Sequence, residues 1–212
     1  MKFSLVLATF AAVATAAPLI RNTQLSRRAP VFTAKTYNEL SISDGTAGNG
    51  KAEALEKLSG LPTNLATVDE ADITFLNAVN QISNDAERGA YNVKIAAATP
   101  GEEVLALQRG KIKNKIFKLT ATVLQLEAQQ AQGENVTAKL TEETTKLNKN
   151  IADDEANAGK ASTGLPFDAT TANPEASNVA KDEMLAAKAG DVVKASEKLA
   201  AAAAAGNAAA RN

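Results

Sequence analysis

Three runs of apolar residues at helical spacing, each closed by a helix breaker, constrain this chain more than any other feature. Val68, Ala71, Phe75, Val79, Ile82, Ala86 and Val93 recur three, four or seven residues apart, which places them on one stripe of an α-helix. The spacing predicts a helix from Val68 to about Ala98, where Thr99-Pro100-Gly101 breaks the chain. Thr67 and Glu70 have capping-box spacing at its start, where both side chains can satisfy orphan amides. A second stripe runs through Leu105, Ile112, Ile116, Leu119, Val123 and Leu126, opened by Glu102-Glu103 and ended by Gly133. Acids suit the positive end of a helix dipole. A third runs through Val136, Leu140, Leu147 and Ile151 and fades at Gly159. Such stripes are hidden from water most simply against one another, so short breaks between long helices predict an all-α, antiparallel four-helix-type bundle. Ser177 to Leu199 supplies the fourth member through Val179, Met184, Leu185, Val192, Val193 and Leu199. A coiled-coil oligomer is the rival, because spacings of seven recur, but the runs reach only about three to four heptads.

Composition agrees with helix. Hydrophobic residues make up 45 % of the chain and aromatic ones only 4 %, so the core must be built from Leu, Ile, Val and Ala. Alanine loses no side-chain entropy in a helix, and strand-forming aromatics are scarce. Residues 29–66 read as an extended arm and a short helix: Val31-Phe32-Thr33 and Tyr37 to Ser43 are followed by Gly45, Gly48 and Gly50, then by a helix from Ala52 to Leu58. Residues 67–159 form the bundle core. Residues 160–176 (KASTGLPFDATTANPEA) read as a linker that Phe167 pins to the bundle, and 177–212 as a C-terminal helix with a flexible Ala-rich tail.

The first residues read as an address. In 1–17, Lys2 is a positive n-region, Phe3 to Val13 a short apolar run, and Ala14-Thr15-Ala16 a small-residue cleavage site, with Ala16 at the cut. A bilayer span would need about 20 apolar residues, so a signal peptide is expected. Residues 18–28 then form a propeptide ending in Arg27-Arg28, a dibasic pair of the kind cut by secretory proteases. Both cuts remove Lys2, Arg21, Arg27 and Arg28 and no acid. The 23 basic residues fall to 19 against 24 acidic ones, a net charge of −5. A nucleic-acid binder should carry a basic surplus, so no nucleic-acid partner is expected, nor a stable membrane span. Asn135-Val136-Thr137, just after Gly133, is the sole Asn-x-Ser/Thr sequon and makes Asn135 the expected glycan acceptor.

Two zeros bound the chemistry: the chain has no cysteine and no histidine. Thiolate nucleophiles, Ser-His-Asp and Cys-His arrangements and Glu-x-x-His di-iron sites are thereby excluded. Glu142-Glu143 and Asp153-Asp154-Glu155 are expected on solvated helix faces, because adjacent acids on a helix diverge. Gly45, Gly48 and Gly50 do not form a phosphate loop. No catalytic residue, cofactor or metal is expected. The densest charge is the run Arg109, Lys111, Lys113, Lys115 and Lys118. At about 100° per residue, Lys111, Lys115 and Lys118 share an arc of about 60°, with Arg109 and Lys113 on the other side of the apolar stripe. The run reads either as an anion-binding patch or as long side chains covering the bundle edge and reaching outward to water.

The stretches YNELSISDGTAGNGKAEALEKLSGLPT, ADITFLNAVNQISNDAERGAYN, LQRGKIKNKIFKLTA and LPFDATTA together resemble the small secreted proteins of filamentous ascomycete fungi, from Thr36 to Ala172. The resemblance implies an extracellular protein of the candidate-effector type and attaches no catalytic motif to it. The resulting expectation is a secreted, non-enzymatic protein that works by surface binding to an extracellular partner, either a host protein or a wall component. A structural or coating protein of the fungal wall or matrix is the alternative. A lipid carrier, with the bundle opened around an acyl chain, and an enzyme using only carboxylates, Lys or Ser rank behind both.

Overall fold

The structure, a computed structural model, describes residues 28–209. The expected signal peptide, Ala16 and Arg27 lie outside the described residues. Arg28 lies within them, exposed, with its backbone N–H on Thr67 O at 2.9 Å. The architecture is all-helical, with several packed helices around a Leu/Ile/Val/Ala core and one two-residue strand pair.

The chain forms α1 (Tyr37–Leu40), β1 (Gly45–Thr46), α2 (Gly50–Lys57), α3 (Glu70–Ala86), a π-helical turn at Glu87–Tyr91, α4 (Asn92–Ala97), α5 (Glu102–Ala131), α6 (Thr137–Glu155), β2 (Ala161–Ser162) and α7 (Glu183–Ala209). Helix α5 is the axle. It packs against α2, α3, α4, α6 and α7 and is buried on most of its circumference rather than on a single stripe. Asn84 meets Lys118 and Asn80 meets Thr122, so α3 runs antiparallel to α5. Residues 132–136 turn the chain back into α6, which lies along α5.

The first stripe keeps its length but not its phase. A π turn closes i→i+5 bonds and inserts one extra residue, rotating everything beyond it by about 100°. Val93, expected inside, is therefore 47 % exposed, while Tyr91 and Ile95 take its place in the core. The turn contains Gly89, where a Cβ would sit 3.0 Å from Val179 Cγ2 and 3.1 Å from Phe167 Cε2. The start differs too. Asp69 caps α3 by accepting from Ala71 N at 2.9 Å, while Thr67 sits in a 3₁₀ turn and donates its hydroxyl to Asn64 O. The capping box belongs instead to α1, where Thr36 Oγ1 accepts from Glu39 N and Glu39 Oε2 accepts from Thr36 N.

Two segments expected to lie outside the bundle core, the arm and the linker, are built into it. The arm folds into the core through Tyr37, Leu40 and Ile42, and Phe32 stacks on Phe75 with ring centroids 4.6 Å apart. Buried Asp72 accepts the backbone N–H groups of Val31 and Phe32 at 2.9 Å, holding the arm in place. The expected linker is a strap. Its β2 pairs with β1 (Gly45 with Ser162, Thr46 with Ala161), Ala169 O accepts from Tyr37 N, and Lys35 O accepts from Thr171 N. Phe167 does pin it, edge-on to Tyr37 at 6.0 Å. The strap crosses α5 at Gly110, where a Cβ would come within 2.0 Å of Thr163 O. Isolated backbone polar groups are expensive to bury, so a strap of this kind must find donors and acceptors wherever it goes. The sequence showed its Gly and Pro residues but not those partners. At the other end, Met184 is 83 % exposed rather than buried, and α7 docks through Ala189, Val193 and Ser196. Beyond Ser196 its residues to Asn207 are exposed.

Candidate functional site

The basic run on α5 divides as its angular positions require, and the two sets meet different surroundings. Arg109 and Lys113 point into the protein. Lys113 is fully buried, and its Nζ donates to Asp44 O (2.8 Å) and Thr46 O (3.1 Å) and pairs with Glu53 (2.9 Å). Arg109, 3 % exposed, bonds Ala161 O and pairs with Glu102. These two cations hold β1, β2 and the start of α2 against α5. They are unavailable to a ligand, which corrects their assignment to an anion-binding patch.

Lys111, Lys115 and Lys118 converge on Glu87, at 3.9, 3.2 and 3.3 Å from its carboxylate. The π turn carries Glu87 to this position from the neighbouring helix. Burial alone would raise the Glu87 carboxyl, but Lys115, Lys118 and Lys111 together outweigh it and hold it below its ordinary range. Burial, and then repulsion from Lys115, lowers the Lys111 ammonium to about 8 despite the attraction of Glu87. Burial also lowers Lys118, against the pull of Glu87. Three cations on one carboxylate leave a local positive surplus.

A groove of about 620 Å³ opens beside this cluster, between α3, α5 and α6. One wall carries Asn77, Asn80 and Asn84 of α3 and Glu87 of the π turn, spaced three, four and three residues apart, a polar stripe beside the apolar one. Lys118 Nζ donates to Asn84 Oδ1 (2.9 Å), Asn84 Nδ2 to Asn80 Oδ1 (2.9 Å), and Asn80 Nδ2 to Thr122 Oγ1 (2.6 Å). The α6 wall presents Lys139 and Lys146 around Glu143, at 2.7 and 3.1 Å. Glu143 is 7 % exposed, and Asp154 is buried, accepting from Gly50 N at 2.9 Å. Neither lies on a solvated face as expected, because α6 turns one edge toward α5 and α2. A second cleft shares Asn84, Glu87 and Lys118 with this groove and is also lined by Arg88, Val93, Val179 and Met184.

Sequence reasoning found the three lysines, missed Glu87, Asn80 and Asn84, and placed Glu143 on a solvated face. The i, i+4, i+7 spacing of Asn80, Asn84 and Glu87 was the available signal. Asn135 is exposed in the turn between α5 and α6. Among the described residues no helix is long and apolar enough to cross a membrane, and no group of three or more His, Cys, Asp or Glu could hold a metal ion.

A family model described as "Domain of unknown function (DUF8454)" matches residues 32–166. The chain belongs to the DUF8454 family. The matched DUF8454 region runs from the clamped arm through α6 and into the strap, so it contains Glu87, the four lysines that line the groove and the groove itself. No curated protein and no solved structure matches the chain.

Proposed function

We propose that this DUF8454 protein is a secreted fungal protein that acts without catalysis, by binding a partner outside the cell as a host-interaction effector, on a four-helix-type frame. The observation that carries the reading is the lysine-rich groove beside Glu87. Charge is concentrated there beyond what packing needs, and Lys111 keeps its ammonium against the cost of burial. A titratable group perturbed by burial and by named charge partners, beside a cleft, marks a functional-site candidate. Glu87 and Glu143 are each engaged by lysines, which suits binding better than proton transfer. Export rests on the residues 1–28 pattern, and Asn135 stands where a glycan would be solvated.

The test is expression of the full precursor in a filamentous fungus, followed by recovery from the medium, infection assays with a deletion strain, and capture from host extract with protein beginning at Ala29. Retention inside the cell, or export with neither phenotype nor partner, would remove the effector reading. The exposed alanine-rich end of α7 favours a second reading, self-association in the fungal wall or matrix. Wall fractionation separates the two, since a wall component should not be wholly free in the culture filtrate.

A further inference from the structure

The groove beside Glu87 has three properties that together select a class of ligand, and the selection rests on the binding reading above. The first is charge. Lys115, Lys118, Lys139 and Lys146 line the groove with Glu87 and Glu143, four cations against two anions in a chain of net charge −1, and Lys111 adds a fifth cation on Glu87 from outside the lining. Lys115 is the least covered of the three lysines on Glu87, and an ammonium has three donors to offer. The second is hydrogen-bonding character. Asn77, Asn80, Asn84, Gln125 and Asn150 line the groove with Thr122, giving amides that donate and accept in the paired manner hydroxyl groups require. The bonded row Lys118, Asn84, Asn80 and Thr122 fixes several of these groups in advance, which lowers the ordering cost of binding. The third is the apolar element. Leu119 and Leu126 form its only sizeable part, and no aromatic ring lines the groove, so bases have nothing to stack on.

We propose that the groove binds an acidic saccharide, with a carboxylate seated at Lys115 and Lys118, ring hydroxyls bonded to the Asn and Gln amides, and a C–H face resting on Leu119 and Leu126. A carboxylate fits better than a phosphate. Arginine and lysine serve carboxylate and phosphate alike, but phosphate sites commonly use the backbone N–H groups of helix N-termini. This groove runs along helix flanks, and the cations that line it are all lysines.

Calorimetry on the full secreted protein tests the assignment with three probes: an oligogalacturonate, a neutral cello-oligosaccharide of equal length, and inorganic phosphate. The oligogalacturonate should bind at least tenfold more tightly than either of the others and weaken as salt rises. Lys115→Gln should weaken it at least fivefold and Lys115→Glu abolish it, while Lys115→Arg retains it and Lys149→Gln, outside the groove, leaves it unchanged. Near pH 8 binding should take up protons, because a seated carboxylate draws Lys111 back to its charged form. Equal affinity for phosphate would reduce the site to a simple anion trap, and equal affinity for the neutral sugar would remove the role of the lysines; either result overturns the proposal. So does insensitivity to Lys115→Glu, or failure of all three probes to bind. A protein that fails every probe yet is exported and captures a host partner would leave the broader binding reading standing.

Discussion

Two sides of one helix carry the same residue types and put them to opposite uses. On one side of α5, Arg109 and Lys113 are buried and bonded to backbone carbonyls of β1, β2 and the loop before them. On the other, Lys111, Lys115 and Lys118 crowd a single carboxylate at the mouth of a groove. A buried cation with carbonyl and carboxylate partners is a fastener, and removing it strands those partners. Cations in excess of their counter-charge are a liability to the empty protein and an asset to a protein awaiting an anion. Mutations should therefore change stability with opposite sign on the two sides.

The largest effect is expected where the strap crosses the fastening side. Gly110→Ala would drive a methyl group into the Thr163 carbonyl, a backbone atom that cannot move aside cheaply, and should cost about 3 kcal/mol or more in denaturant unfolding. Lys113→Met keeps the stem but strands the Asp44 and Thr46 carbonyls, and should cost about 2–4 kcal/mol by the same measurement.

The sign should reverse at Lys111. Its folded pKa, about 8, lies below the ordinary 10.5, so the folded state releases a proton that the unfolded chain keeps. The resulting penalty is full below pH 8 and fades as pH rises toward 10.5. Lys111→Met should therefore stabilise the protein at pH 7, by about 1–2 kcal/mol after loss of the bond to Asn92, and thermal melts of the two proteins should converge above pH 10. Destabilisation at pH 7 would mean that Lys111 is another fastener and that the comparison fails. The smallest effect is expected at Lys149, whose pairing with Asp153 is open to water. Lys149→Ala should leave the melting midpoint unchanged, because such pairs are weak and screened.

Much of the helical frame was legible because burial of an amphipathic stripe leaves a periodic trace. The lengths of the α3–α4 segment, α5 and α6 follow from Phe75 to Ile82, Ile112 to Leu126 and Leu147 to Ile151. The phase slip at Glu87–Tyr91 was not legible, since a π turn leaves the residue order intact and changes only who faces inward. The even burial of α5 was also hidden. Polar residues such as Asn114, which accepts from Tyr37 OH and donates to Ser83 O, are written like surface residues until their partners are known. The site divides along the same line. The angular grouping of Lys111, Lys115 and Lys118 is local arithmetic, whereas the meeting with Glu87 and Glu143 requires knowing which helix lies beside which.

The strap bears on the order in which this protein can be made. Lys35 is joined to Thr171 across 136 positions, and the β1–β2 pair likewise joins the two ends of the matched region. Contacts of such long reach form only after the intervening chain has closed its loop. Until Thr171 has left the ribosome, the seam cannot close around the helices. A polypeptide built this way completes its fold only when nearly all of the described chain is present, and one cut short before Thr171 leaves the backbone of Lys35 without its partner.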